Sequence, residues 1–388
     1  MQGLAGRVLV VDDVEMNRDV LARRLRQQGH TVATAENGRR ALEMLAAEEF
    51  DLVLLDIMMP ELDGFQVLER LRQDEALRHI PVIMISAMDE MPSVVRAIEL
   101  GAADYLPKPF NAVLLKARVG ATLEKKRLAD AERLHARSLE RELEIGRQIQ
   151  ASFLPEELPQ PPGWEIAASF HPARKVGGDF YDAFHLPRRG RLGLAVSDVC
   201  DKGVGAALFM AVFRSLIRTA IERNDEAGAE VAANVEAAAA HNSDYIARTH
   251  GKANMFATLF LAVLDLESGA LTYVNAGHEP PVVRRASGAI ARFPPTGPAV
   301  GLLPGLRFRV EETTLSPGDL LLAFTDGVSE ARNPAGELYG EARLLALLEG
   351  PPAAAPALLS RIEGSLRAHT AGGEPSDDVT MLAVRRRQ

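Results

Sequence analysis

In the first third of the chain, polar residues stand where short apolar runs end. Asp12-Asp13 follows "RVLVV", Asp56 follows "DLVLL", Ser86 follows "PVIMI" and Lys108 follows "ADYLP". Carboxylates gathered at one place repel and hold their protons unless a cation joins them. Oxygen-only ligation suits Mg²⁺, which keeps some water and can take an oxygen of a phosphoryl group. A lysine and a hydroxyl nearby supply the charge and the hydrogen bond for a phosphoryl oxygen. This set is suited to phosphorylating a carboxylate, with Asp56 as the nucleophile.

A second series of acids lies further on: Asp179 in "VGGDFYD", Asp198 in "LAVSDVCDKGVG", Asp326 in "AFTDGV" and the pair Asp377-Asp378 in "PSDDVTMLAV". Asp326 leaves the apolar run "LLLAF", and a carboxylate at the end of a core strand is costly to desolvate unless something meets it. Glycine or small polar neighbours allow close backbone approach at each position. No cysteine or histidine cluster accompanies these acids, which argues against zinc or thiolate chemistry and for Mg²⁺ or Mn²⁺. Two such ions sharing a carboxylate can activate a water for attack on phosphorus. No Ser-His-Asp or cysteine nucleophile set is visible, so direct attack by water is the economical mechanism. Asp182 and Asp201 read instead as turn caps. Lys202, just before Gly203 at an expected helix start, meets either phosphate or solvent. His278 reads as a turn or packing residue, Asn275 as satisfying its own turn, and Cys200 as a small buried residue.

The elements that must position these residues fall into three parts. Residues 1–119 alternate strand-like runs with helical patterns, which implies a doubly wound five-stranded parallel α/β sheet. In such a sheet the carboxyl ends of neighbouring strands converge on one crevice, and the first series of polar residues sits at those ends. Residues 120–155 form a linker helix, with Leu128, Leu134, Leu139, Leu143, Ile149 and Phe153 recurring every few positions. That spacing suits either a solvated helix or a dimerising coiled coil, whose heptads break at His135, Ser138 and Glu142. The proline-rich "LPEELPQPPGW" ends the helix. Residues 156–388 alternate strand-like runs with a few amphipathic helices, and short turns such as "DLESGA" suggest antiparallel pairing. The expectation is an α+β domain of two packed, mainly antiparallel sheets flanked by helices.

Composition narrows the function classes. The chain has 388 residues, 47% hydrophobic and 25% charged, with a formal charge of −9. Nothing in that balance suggests nucleic acid or anionic lipid as a partner. One cysteine, Cys200, excludes an internal disulfide and fits a reducing compartment. No apolar segment of secretory length precedes "RVLVVDD", and no apolar run is expected to approach the length and apolarity of a membrane span. A cytoplasmic protein is expected.

In order, "VVDD", "LLDIMMPELDG", "ISA" and "YLPKPF" resemble a response-regulator receiver domain over residues 6–119. The resemblance implies that Asp56 accepts phosphate from a histidine kinase. It also implies that Asp12, Asp13 and the Met58 carbonyl help to hold Mg²⁺, that Ser86 and Tyr105 form the switch pair, and that Lys108 senses the phosphate. Over residues 140–388, "EIGRQIQASFLPEELP", "VGGDFYD", "SDVCDKGVGAAL", "NAGHEPP", "FTDGVSEA" and "SDDVTML" resemble the PPM (type 2C) metal-dependent serine/threonine phosphatases. The likeness is to the bacterial branch acting in sporulation and stress-sigma-factor control. Two Mn²⁺ or Mg²⁺ are then implied, with Asp179 and Asp198 as shared ligands and the Val199 carbonyl completing one shell. Asp326 and Asp377 would hold the second ion, with Asp378 a neighbour. Arg174 occupies the place of a phosphate-binding arginine in eukaryotic relatives, a position on which the bacterial branch is not reliable.

The resemblance further implies a phosphorylated protein substrate, an anti-sigma-factor antagonist being the best match, and any opposing kinase is expected to be a separate protein. "GGDFYD" is not the signature of a cyclic-di-nucleotide synthase, which needs an acid where Phe180 stands. A transcription factor would need a basic helix-turn-helix after the receiver. A non-catalytic phosphatase-like domain that sequesters a partner is the remaining alternative, although none of the four ligand carboxylates is lost.

Overall fold

The structure, a computed structural model, describes residues 5–87, 91–251, 254–350, 353–373 and 375–388, with the side chains of 86–87 and 91–94 outside that description. It divides into two compact units, Met1–Leu139 and Glu140–Gln388. The sequence boundary between them falls inside one long helix, α5 (Ala112–Phe153).

Five strands, β1 (Arg7–Val11), β2 (Thr31–Ala35), β3 (Leu52–Asp56), β4 (Val82–Ala87) and β5 (Asp104–Lys108), build the first unit. They form one sheet in the order β2-β1-β3-β4-β5, and every pairing is parallel. Helices cover both faces, which is why Val8–Val11 and Leu52–Leu55 read as unbroken apolar runs rather than alternating ones. Leu9, Val11, Val53 and Leu55 meet α2 (Gly38–Ala47) and α3 (Gly64–Gln73) on one face. Val8, Val10, Leu52 and Leu54 meet α1 (Glu15–Gln27) and the start of α5 on the other. The chain reverses its winding between β1 and β3, so their carboxyl ends open the crevice where a ligand belongs.

The second unit is built of two five-stranded sheets. The first joins β7 (Phe180–His185), β8 (Arg191–Val199), β9 (Ala257–Asp265), β10 (Ala270–Ala276) and β13 (Glu311–Thr314). The second joins β6 (Trp164–His171), β11 (Val282–Arg284), β12 (Ile290–Arg292), β14 (Leu320–Phe324) and β15 (Val379–Arg386). All of these pairings are antiparallel. Between the sheets lies one core of Trp164, Leu194, Val196, Phe260, Leu321 and Leu382. Outside the first sheet lie α6 (Val204–Glu226) and α7 (Val231–His250), and outside the second α9 (Glu341–Glu349) and α10 (Ala355–His369). The result is a four-layer sandwich.

Two sequence expectations are corrected here. Helix α6 is long and apolar enough to cross a membrane by length and composition, with a mean hydropathy of 1.6. Half of that stretch is buried in the protein, because Ala206, Met210, Phe213, Ile217 and Ile221 pack on the first sheet. Asp182 is not a turn cap but a buried member of β7. Arg214 and Arg218 of α6 approach its carboxylate to 2.8 Å and 3.7 Å. The Arg218 guanidinium also lies 4.4 Å from the centre of the Phe184 ring. Burial pushes the Asp182 acid above its ordinary range while the two arginines pull it down. The pair pins α6 to the strand that begins just after Asp179.

Asp182→Ala would strand Arg214, which is only 12% exposed, and is expected to cost about 3 kcal/mol. Urea unfolding followed through Trp164, the single tryptophan, measures this. The apolar pair Asp182→Leu/Arg214→Met should recover most of the loss.

Candidate functional site

In the first unit Asp56 ends β3, while Asp12 and Asp13 directly follow β1. One carboxylate oxygen from each lies within 4.8 Å of the others. Lys108, ending β5, places Nζ 3.0 Å from Asp12 and 2.9 Å from Asp56. The Asp12 carboxylate also accepts hydrogen bonds from the Val14 amide at 2.9 Å and Asn17 Nδ2 at 3.1 Å. Arg18 donates to the Asp12 and Asp13 carbonyls. Asn17 and Arg18 escaped the sequence reading, although both stand in the first turn of the helix that follows the acid pair.

Burial pushes the Asp56 acid up to about 6, with Asp12 and Asp13 adding to the rise and Lys108 opposing it. Burial alone would lower the Lys108 ammonium, but the hydrogen bonds of Asp56 and Asp12 hold it above its ordinary value. Three acids facing one ammonium leave negative charge uncompensated. A divalent cation fits both that deficit and the all-oxygen donor set.

Met58 lies in the loop after β3 with its side chain 69% exposed. That loop is closed by the Gly64 amide donating to the Ile57 carbonyl at 2.9 Å and by a reciprocal cap between Asp63 and Gln66. Tyr105 is half-buried on β5, with the Arg118 guanidinium 4.7 Å from its ring centre. Arg118 is also ion-paired to Asp104. Ser86 lies on β4 beside Pro107 of β5, and its side chain lies outside the described residues.

In the second unit each sheet contributes two carboxylates. Asp179 immediately precedes β7 and Asp198 lies on β8, both in the first sheet. Asp326 follows β14, opening the short helix α8 (Asp326–Ser329), and Asp377 precedes β15, both in the second sheet. Asp179 is fully buried and held well above its ordinary range by burial and then by the charges of Asp198 and Asp378. Asp198 is pushed up to about 7 by burial and then by Asp326, with Asp377 and Asp378 adding and a hydrogen bond to Asp179 opposing. Asp326 is raised by burial and by Asp377 and Glu330. These carboxylates therefore feel one another across the two sheets. Crowded carboxylate oxygens of this kind fit a hard divalent cation such as Mg²⁺ or Mn²⁺.

Asp378, read from sequence only as a neighbour, has a definite task. Its carboxylate accepts the amides of Ala173 at 2.8 Å, Gly178 at 2.6 Å and Asp179 at 3.4 Å. Two residues on, Thr380 Oγ1 donates to Asp179 Oδ2 at 2.7 Å. The glycine pair before Asp179 is required sterically. A Cβ at Gly177 would lie 2.5 Å from the Asp378 carboxylate, and one at Gly178 would lie 2.9 Å from the Val199 carbonyl. That carbonyl thus faces the residue before Asp179, at the buried end of β8.

Lys202 Nζ lies 2.7 Å from Asp377 and 2.9 Å from the Ser376 carbonyl, with its side chain part-exposed. Arg174 is exposed, with Nη1 3.8 Å from where a Cβ on Gly203 would stand, over the start of α6. Asp201, at φ 74°, caps the Lys202 amide. His278 is buried and neutral, its pKa lowered to about 3 by burial, and Nδ1 meets Thr258 Oγ1 at 2.8 Å. Asn275 holds the His278 amide and donates to the Phe293 carbonyl. Cys200 is only partly buried, and its Sγ accepts the Phe256 amide. Glu279 and Glu330 were not singled out in the sequence, yet both face Asp326.

Comparison with known proteins gives concordant matches. Residues 188–387 match the family model described as Stage II sporulation protein E (SpoIIE), and residues 8–120 that of the response regulator receiver domain. Protein IcfG of Synechocystis sp. is 44% identical over 263 residues, covering 63% of this chain and 41% of that protein. Response regulator PleD of Caulobacter vibrioides is 44% identical over 116 residues, covering 30% of this chain and 26% of that protein. The chain thus spans under half the length of these curated relatives. The solved SiaA-PP2C domain of Pseudomonas aeruginosa covers 65% of this chain and 98% of its own at 20% identity and a TM-score of 0.54, which shows a shared fold.

Asp56 and Asp198 hold their protons up to about 6 and about 7 in the metal-free fold but only to about 4 once unfolded. Their folded values are raised, so their contribution to stability is intact below about pH 4 and is lost as pH rises through those values. Chelator-treated protein should therefore gain more in melting temperature from Mg²⁺ or Mn²⁺ at about pH 7.5 than at about pH 5. Equal gains at both pH values would contradict cation binding among these carboxylates.

Proposed function

Because the chain belongs to the Stage II sporulation protein E (SpoIIE) family and carries a response regulator receiver domain, we propose that it is a receiver-controlled, metal-dependent protein serine/threonine phosphatase. The observation that carries this reading is the meeting of Asp179, Asp198, Asp326 and Asp377 from two sheets, each of the first three with a raised acid. Asp179 and Asp198, with the Val199 carbonyl, would hold one divalent cation, and Asp326 and Asp377 the other, Mn²⁺ or Mg²⁺. Such ions, when bound, would lower the pKa of a water and draw charge from phosphoryl oxygens. The chain's own residues bind and orient. Asp378 and Thr380 hold Asp179 in place, and Arg174, exposed at the rim, is available to a substrate phosphate.

In the receiver, Asp12, Asp13 and the Met58 carbonyl would hold Mg²⁺. A carboxylate oxygen of Asp56 attacks the phosphorus of a histidine kinase's phosphohistidine, and the phosphorus–nitrogen bond breaks. Lys108 then pairs with the new phosphoryl group, and Ser86 and Tyr105 respond as the switch pair. The signal passes through α5, where Leu128, Leu134 and Leu139 are all about half exposed or more, apolar surface that a homodimeric coiled coil would cover. The substrate is a phosphoserine or phosphothreonine on a cytoplasmic partner, with an anti-sigma-factor antagonist the best match.

Hydrolysis of p-nitrophenyl phosphate with Mn²⁺ tests the chemistry. Wild type should turn over, and chelator or Asp326→Asn should remove about two to four orders of magnitude of kcat/KM. No wild-type turnover, with or without acetyl phosphate, would favour a module that only sequesters its partner. Acetyl phosphate should change the wild-type rate and leave Asp56→Ala unaffected; the same response in both proteins would refute control through Asp56.

A further inference from the structure

Beside the four-carboxylate cluster lies a cavity of about 360 Å³ that the chemistry above does not use. Its floor is apolar: Ala331, Leu366 and Val379 are each 7% exposed and line it. It adjoins the cluster along the chain. Gly327 and Ser376 are also in its wall, and they are the immediate neighbours of Asp326 and Asp377. Adjacent Cα atoms stand about 3.8 Å apart, so the cavity begins within about one residue of two candidate ligands. Arg367 of α10, Thr370 just after that helix and His171 at the exposed end of β6 complete the wall. Glu363, one turn before Arg367, anchors that rim by accepting hydrogen bonds from Ser169 and His171.

We propose that this cavity is a specificity subsite that seats one apolar side chain of the phosphoprotein substrate, one to three residues from the phosphoserine. The inference rests on the phosphatase reading and names what that site selects. A polypeptide whose phosphate reaches the carboxylates must cross one of the walls around them. An extended chain advances about 3.3 Å per residue with alternate side chains on one face, so a neighbouring side chain falls over the opening. The volume lies at the low end of ligand pockets, roughly 300–1,000 Å³, which suits a side chain rather than a folded element. Its apolar floor favours leucine, isoleucine, valine or methionine over a charged residue.

The test uses the full chain with Mn²⁺ and a set of glycine-rich phosphoserine peptides. A single leucine is moved through the three positions on either side of the phosphoserine. One position should raise kcat/KM about tenfold over the all-glycine peptide. Thr370→Trp, which fills the cavity from its rim, should abolish that preference while leaving turnover of the all-glycine peptide unchanged, because that peptide places no side chain in the cavity. A flat leucine scan with wild type turning over p-nitrophenyl phosphate overturns the subsite alone, and it needs no variant to do so. A leucine preference that persists in an active Thr370→Trp protein also overturns it. Failure of wild type on p-nitrophenyl phosphate and on every peptide removes the phosphatase reading and the subsite with it.

Discussion

The second unit depends on one carboxylate filled by backbone amides. Asp378 stands at the start of β15 in one sheet and takes the amides of Ala173, Gly178 and Asp179 in the loop that leads into the other. A buried carboxylate costs much unless its oxygens are filled with donors, and backbone amides fill these. Through that loop the sheet carrying Asp326 and Asp377 is tied to the sheet carrying Asp179 and Asp198. Thr325 Oγ1 donates to the Asp378 carbonyl, and the Thr380 amide donates to Thr325 Oγ1. The ends of β14 and β15 are thereby locked to each other as well. Without this knot each sheet would keep its strands, but the four acids would have no fixed separation.

Both units solve the same electrostatic problem with the same means. Acids are collected at strand ends, where burial and mutual repulsion hold their protons. One lysine partly offsets each cluster: Lys108 against Asp12 and Asp56, and Lys202 against Asp377. One ammonium is too little charge for three or four carboxylates, which leaves room for divalent cations. The scaffolds differ in how they bring acids together. A parallel sheet delivers neighbouring strand ends to one crevice by its winding, whereas the antiparallel sandwich needs edges of two separate sheets to meet.

The same sandwich explains features that look anomalous one residue at a time. Helix α6 is apolar enough to resemble a membrane span because it covers a whole sheet face. Arg214 and Arg218 within it do not contradict that burial, since Asp182 of β7 meets them. The glycines at 177 and 178 leave no room for side chains because the Asp378 carboxylate and the Val199 carbonyl already occupy that space.

Sequence alone determined most of the first unit. Strands buried on both faces are continuous apolar runs, and Asp12 and Asp56 are the first polar residues after "RVLVV" and "DLVLL". In the second unit, the strong strands β8, β9, β14 and β15 were legible for the same reason. Short or half-exposed strands such as β6, β11, β12 and β13 were not, because their patterns are too brief or too mixed. The tasks of Asp378 and Asp182 were decided only in three dimensions. Asp378 meets amides about 200 residues away in sequence, and Asp182 pairs with an arginine on a helix from a different layer. Sequence spacing states which residues can do chemistry. Which backbone amide fills a carboxylate, and which cavity opens beside it, follows from the packing of distant segments, and no local pattern encodes that.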